Sequence, residues 1–152
     1  MVKAVIQRVL NASVSVDNEV IGEIGKGFLI LLGVEKGDDE IEAKVLSAKI
    51  AGLRVFCVEN DKMNLSLSQI DGEVHVISNF TLLADCKKGR RPSFDNAALP
   101  IDALKLYKDF CKFLVDEGVS NIETGEFGAD MKVSLTNDGP VTIIIDSKEL
   151  SR

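Results

Sequence analysis

A single histidine, His75, and three widely spaced cysteines, Cys57, Cys86 and Cys111, with no C-x-x-C pair, are all the chain offers in soft or imidazole ligands. One imidazole cannot build a zinc site, and a Ser-His-Asp apparatus is disfavoured, although a lone His75 base stays open. The cysteines encode neither a disulfide framework nor a thiolate cage. No metal and no organic cofactor is therefore expected. Basic charge is also short, 18 Lys and Arg against 24 Asp and Glu, for a net charge of -6. That balance argues against nonspecific nucleic-acid binding driven by phosphate neutralisation, so any RNA contact has to be local. No apolar run approaches the length of a bilayer span, and the segment Met1 to Arg8 reaches polar residues too soon for a signal peptide. A cytoplasmic location is expected. Phosphate loops are missing too, since Gly22 to Gly27 has glycines but not the required spacing, and no helix follows.

What is present reads as one globular domain over residues 1–152, with 45% hydrophobic and 28% charged residues. A strand from Val2 to Val9 precedes a hairpin in which Val14 and Val16 alternate with serines before the Asp17-Asn18 turn. The run Phe28 to Val34 predicts a strand covered on both faces, with Gly33 allowing another backbone to approach. Asp38-Asp39 caps a helix with Ile41, Val45 and Ala48 as its stripe, ending near Gly52. Leu53 to Val58 reads as a strand and Glu59-Asn60-Asp61-Lys62 as a turn. Asp71-Gly72 predicts a hairpin joining Leu65–Ile70 to Glu73–Leu82. His75, between Val74 and Val76, is expected to be a half-exposed sheet residue. Pro100 opens a second helix striped by Leu104, Tyr107, Cys111 and Leu114 and stopped by Gly118. Two more strands, Met131–Thr136 and Val141–Ile145, precede a polar tail, 147–152, expected to fray. The order predicts an α+β fold of three layers, two stacked, mainly antiparallel β layers with helices covering one side.

Three polar stretches stand out. Asn137-Asp138-Gly139-Pro140-Val141-Thr142 lies between the last two strands. It is either a tight turn or a rigid main-chain probe whose carbonyls point into a ligand site. Ser78-Asn79-Phe80-Thr81-Leu82 closes a strand; its hydroxyls are strand-end groups or nucleophiles, and the N–H groups of Phe80 and Thr81 are candidates to stabilise an oxyanion. The unpatterned loop Asp85 to Ala98 carries Lys87, Lys88, Arg90 and Arg91 within five positions, either as a solvated surface or as a binding loop.

The pair Ser78-Asn79-Phe80-Thr81-Leu82 and Asn137-Asp138-Gly139-Pro140-Val141-Thr142 closely resembles the two signature motifs of the D-aminoacyl-tRNA deacylases. Further matches are Ile6-Gln7-Arg8-Val9, Leu31-Leu32-Gly33-Val34, Lys62-Met63-Asn64, Arg91-Pro92-Ser93-Phe94 and Thr124-Gly125-Glu126-Phe127 leading to Ala129-Asp130-Met131. The resemblance implies a homodimeric hydrolase that cleaves the ester between a D-amino acid and the 3′-terminal adenosine of tRNA. It also implies a cis Gly139–Pro140 bond entering the partner's site, with Arg8 bracing the loop and Asn137 and Thr142 supporting it. An L side chain would meet that main chain, whereas a D side chain points away; glycine, with no side chain to exclude, should also be released, including from mischarged tRNA(Ala). Ser78, Phe80 and Thr81 are the implied catalytic group. Two mechanisms fit the family: water assisted by the ribose 2′-hydroxyl, or attack by Thr81. The sequence pairs no base with Thr81, which favours the first. Lys87, Lys88, Arg90 and Arg91 are expected tRNA contacts. One departure is Asn79, where the family usually has Gln. The rival reading is a noncatalytic RNA-binding or regulatory module that kept the fold.

Overall fold

The computed structural model describes residues 1–58 and 62–150. Its first strand, β1 (Lys3–Val16), is longer than expected, because the predicted strand and the first arm of the hairpin are one element. β2 (Glu19–Ile24) and β3 (Gly27–Gly33) pair antiparallel with it. Asp17 and Asn18, both at positive φ, make the two-residue turn between β1 and β2. The last strand, β8 (Lys132–Asp146), runs antiparallel along the other edge of β1. A bulge shifts the β1–β8 register between Val9 and Asn11. Such a shift exchanges the faces of a strand. Ala4 and Ile6 accordingly belong to one apolar core, while Val9, Ala12 and Val14 belong to a second.

The sheet continues from β3 to β6 (Glu73–Ser78) and β7 (Asn121–Thr124), both joined by parallel pairing. The expected hairpin at Asp71-Gly72 is therefore not formed. Ser68–Ile70 is a 3-10 turn, Asp71 is its left-handed cap, and the polypeptide enters β6 beside β3 instead of beside its sequence neighbour. Parallel pairing with a distant strand outcompetes the local turn preference of an Asp-Gly step. Among the described residues four of the six strand pairings are antiparallel, counting the small sheet of β4 (Phe56–Cys57) and β5 (Met63–Leu65). Only those two residues of the predicted strand 53–58 are in strand pairing. Of the turn predicted at Glu59-Asn60-Asp61-Lys62, the first three residues lie outside the described residues.

Helices α1 (Glu40–Gly52) and α2 (Pro100–Asp116) pack against each other and close the larger core. Asp39 and Glu42 form a capping box at the start of α1. The buried face of α1 is Ala43, Leu46, Ser47 and Ile50, not the predicted Ile41, Val45 and Ala48; Ile41 is 54% exposed. On α2 the buried residues are Leu106, Tyr107, Phe110 and Leu114, with Leu104 and Cys111 at the margin. The smaller core, around Leu29 and Ile77, is enclosed as β2 packs across β6 and β7. The fold is α+β, two β layers facing each other and both helices on one side.

Two expectations of exposure fail. His75 is fully buried, and a Cβ on Gly22 of β2 would come within 3.1 Å of its ring. Among the described residues neither ring nitrogen has a hydrogen-bond partner of normal geometry, the Thr124 main chain offering only a weak polar contact. Burial holds its pKa below the ordinary value, against the opposing pull of Thr124 and of the Glu123 carboxylate. The tail does not fray through 147–150, because Ser147 is buried and its hydroxyl accepts from Val2 N–H at 2.8 Å and donates to Glu42 Oε2 at 2.9 Å. Ser151 and Arg152 lie outside the described residues.

Candidate active site

β6 ends at Ser78, and Asn79 N–H still reaches the Leu32 carbonyl of β3 at 2.8 Å before the chain turns. Phe80–Leu83 then forms a 3-10 turn with Asn79 as its N-cap. The turn packs onto Gly33, where a Cβ would meet Leu83 Cδ2 at 2.6 Å and Asn79 O at 3.1 Å, so the glycine permits the close backbone approach. The Asn79 carboxamide oxygen accepts from Thr81 N–H at 3.2 Å and from the Thr81 hydroxyl. Thr81 N–H is thus engaged. The N–H of Phe80, first in the turn, has no acceptor within it.

These residues open onto a cleft of about 780 Å³. Ser78, Asn79, Phe80 and Thr81 line it together with Leu31 and Ile77, and Phe94, Ala97 to Pro100 and Phe127 to Met131 complete it. The Phe80 ring is 59% exposed and meets Phe94 edge-on at 5.1 Å. Tyr107 donates to the Val76 carbonyl at 2.6 Å, and burial raises its pKa well above the ordinary value, so it is a neutral structural donor. His75 does not line the cleft. His75 is thus no base for the Ser78 or Thr81 hydroxyl, and the carboxylate of the lining, Asp130, is paired with Lys132 at 3.0 Å.

The second motif sits elsewhere. Gln7 pairs with Thr142 and Val9 with Asn137, so the four residues Asp138 to Val141 are looped out opposite Arg8. The expected two-strand connection is a bulge within one strand. The Gly139–Pro140 peptide is cis. Asn137 closes the neck, donating Nδ2–H to Thr142 Oγ1 at 2.8 Å and accepting from Val141 N–H at 2.9 Å. Arg8, only 7% exposed, donates from Nε to the Asp138 carbonyl at 3.0 Å and from Nη1 to the Val55 carbonyl at 2.6 Å. Gly139 has φ +128°, and a Cβ there would lie 2.9 Å from Arg8 Nη2. Both Gly139 and Pro140 are exposed, and neither lines the cleft of its own chain.

Lys87, Lys88, Arg90 and Arg91 project from a loop whose base is pinned by reciprocal Asp85–Ser93 main-chain bonds of 2.7 and 2.8 Å. None of the four forms an ion pair among the described residues. Phe94, next along the chain, carries this loop to the mouth of the cleft.

Residues 5–146 match the family model described as D-Tyr-tRNA(Tyr) deacylase. The chain belongs to that family. A D-aminoacyl-tRNA deacylase from Pelobacter propionicus is 56% identical over 144 residues, covering 95% of this chain and 99% of the relative. Deacylases of the same description from Clostridium novyi and Thermosipho africanus are 54% and 52% identical, each covering 97% of this chain and 98% or more of the relative. Among solved structures, one described as the c-Myc DNA unwinding element binding protein superposes with a TM-score of 0.88 at 39% identity, over 95% of this chain and 97% of that one. Another, described as a probable eukaryotic D-amino acid tRNA deacylase, shares the fold at a TM-score of 0.80 and 16% identity.

Relative to the sequence reading, this deacylase-family chain brings Ser78, Asn79, Phe80 and Thr81 to one cleft and keeps Gly139 and Pro140 apart from them. The walls at Ala97–Pro100 and Gly128–Met131 were not singled out as site residues. Their signal was apolar side chains in unpatterned segments, such as Leu99 at 61% exposure.

Proposed function

We propose that this protein, a single domain, hydrolyses the ester between a D-amino acid and the 3′-terminal adenosine of tRNA, releasing free D-amino acid and tRNA. The observation that carries the reading is the Asn79–Thr81 turn opening onto a largely apolar cleft in a chain of this family. Phe80 N–H is the donor available to a carbonyl oxygen that becomes an oxyanion. The attacking oxygen is that of water, which bonds to the ester carbon; the bond to the ribose 3′-oxygen breaks, and one water proton leaves on that oxygen. In this reading the 2′-hydroxyl of the terminal ribose, next to the ester, assists the water. An aminoacyl ester is already activated, so positioning and polarisation suffice.

Gly139 and Pro140 act on a second copy of the chain in this reading. Their exposure and their distance from the cleft of their own subunit support a homodimer with the site at the interface. Set against a bound ester, their main chain would obstruct an L side chain and leave a D side chain free; a glycyl ester, including glycyl-tRNA(Ala), would also be cleaved. Lys87, Lys88, Arg90 and Arg91 contact phosphates near the acceptor end, and the setting is cytoplasmic.

The test is hydrolysis of matched D- and L-aminoacyl-tRNA, the same amino acid on the same tRNA, by purified protein with a chelator present. Selective loss of the D ester is expected. One observation favours the noncatalytic rival, namely that a 39% identical solved structure is described as a DNA-element binding protein. Nucleic-acid binding without turnover of either ester would establish that rival.

A further inference from the structure

We propose that the carboxamide of Asn79 is a positioning residue for the hydrolysis: by accepting both protons of Thr81, N–H and O–H, it leaves the Thr81 hydroxyl facing the cleft as an acceptor only. Phe80 N–H then remains as the main-chain donor of this turn for the ester carbonyl. The inference rests on the reading of the cleft as the deacylation site.

The orientation of the carboxamide follows from its partners. A backbone N–H can only donate, so the Asn79 atom 3.2 Å from Thr81 N has to be the oxygen and not the NH₂ group. The Thr81 hydroxyl touches that same oxygen, and an amide oxygen can only accept, so the hydroxyl proton is committed to it. What Thr81 has left for the cleft is lone pairs. They suit a donor on the substrate side, such as a water or an ammonium group.

The same geometry removes Thr81 as a nucleophile. Attack by its oxygen would require the proton to pass to an amide oxygen, which is too weak a base to hold it at neutral pH. It also divides labour within the turn, since the engaged Thr81 N–H is not available to the oxyanion. Asn79 can do this because its backbone is extended, φ -149° and ψ 92°, and its short side chain curls back onto the residue two places ahead. A glutamine at this position carries one methylene more and cannot close the same ring without another rotamer.

The test compares the parent with Asn79→Ala, Asn79→Asp and Thr81→Ala, using D-aminoacyl-tRNA hydrolysis, thermal melts and the amide proton shift of Thr81. Asn79→Ala is expected to lower kcat about 10- to 100-fold with little change in KM, since the misplaced groups act on the reacting atoms and not on substrate binding. Asn79→Asp, which presents an oxygen at the same place, is expected to recover most of that loss. The Thr81 amide proton should move upfield in Asn79→Ala and keep its hydrogen-bonded shift in Asn79→Asp. An Asn79→Ala protein with parental kcat, an Asn79→Asp protein as slow as Asn79→Ala while melting like the parent, or a Thr81 amide unmoved in Asn79→Ala would overturn the proposal. Thr81→Ala separates the two readings, because a folded Thr81→Ala protein without activity would sink the water mechanism of the site itself.

Discussion

The turn at Phe80–Leu83 follows the end of a strand and the bulge at Asp138–Val141 interrupts the pairing of one, and they are secured differently. The turn is closed locally, Asn79 capping Thr81 two residues on, and it rests against Gly33 of β3. The bulge has a local closure too, Asn137 onto Val141 and Thr142, but it is also held from a distance of 130 residues in sequence, by a buried Arg8 that grips the Asp138 carbonyl from β1. The difference is instructive. A local cap sets the direction of one N–H, whereas a long-range clamp holds a segment outward, where its own chain supplies no other wall. The turn should therefore respond to changes in donors, and the bulge to changes in shape.

The largest effect is expected from deleting a donor in the turn. Phe80→Pro removes the N–H at a first-turn position that tolerates proline, after a residue already extended. It is expected to lower kcat about 100- to 1000-fold, as loss of an oxyanion donor does elsewhere. Phe80→Ala keeps the N–H, gives up the ring that lines the cleft and its edge-on packing with Phe94, and should stay closer to the parent. Equal rates for the two variants would mean that this N–H takes no part.

Gly139→Ala tests shape on the other side of the comparison. At φ +128° its Cβ would press on Arg8 Nη2 and Val141 Cγ2, both at 2.9 Å, and such strain should cost about 1–3 kcal/mol in denaturant unfolding. Discrimination against the L ester should fall more than hydrolysis of the D ester. Parental stability together with parental selectivity would show that the clamp does not fix the bulge.

A smaller effect is expected between the two regions, on the basic loop. Replacing Lys87, Lys88, Arg90 and Arg91 by Gln should raise KM and flatten the salt dependence of kcat/KM by up to about three in log–log slope, at about 0.7 for each phosphate no longer neutralised. An unchanged slope would remove the loop from the tRNA contact.

The smallest effect lies outside both motifs, at His75. Its folded pKa is depressed by burial, so the unfolded chain binds more protons, and stability should fall as pH drops through and below the ordinary histidine value near 6.5. Asp38, raised by burial to about 6, pulls the opposite way as pH falls, but it does so equally in a His75→Leu variant. Urea unfolding between pH 7.5 and 5.5 should thus give a flatter profile for His75→Leu, and parallel profiles would show that His75 does not titrate on unfolding.

Much of this was readable from residues, and each failure has its own physical cause. The caps at Asp39 and Pro100, the buried run of β3 and the backbone approach at Gly33 are local chemistry, and they appear where the sequence places them. The Asp71-Gly72 hairpin was misread because β6 pairs with β3, a long-range parallel partner that no turn residue announces. The wrong face was chosen for α1 because apolar residues occur all round it, so helical spacing alone could not select Ala43, Leu46 and Ile50 over Ile41 and Val45. In the candidate site, the turn motif was legible as a unit, whereas the separation of Gly139 and Pro140 from it depends on which edge of β1 the last strand occupies.

β6 links these observations to dynamics. It runs between β3 and β7, Val74 and Val76 are fully buried, Tyr107 binds its Val76 carbonyl, and its end carries directly into Asn79 and Phe80. In amide exchange such a strand opens only with the whole molecule. The N–H of Phe80 is thus aimed by a strand enclosed on both edges, two residues beyond its last paired position at Ser78, and little of its direction is left for substrate binding to set.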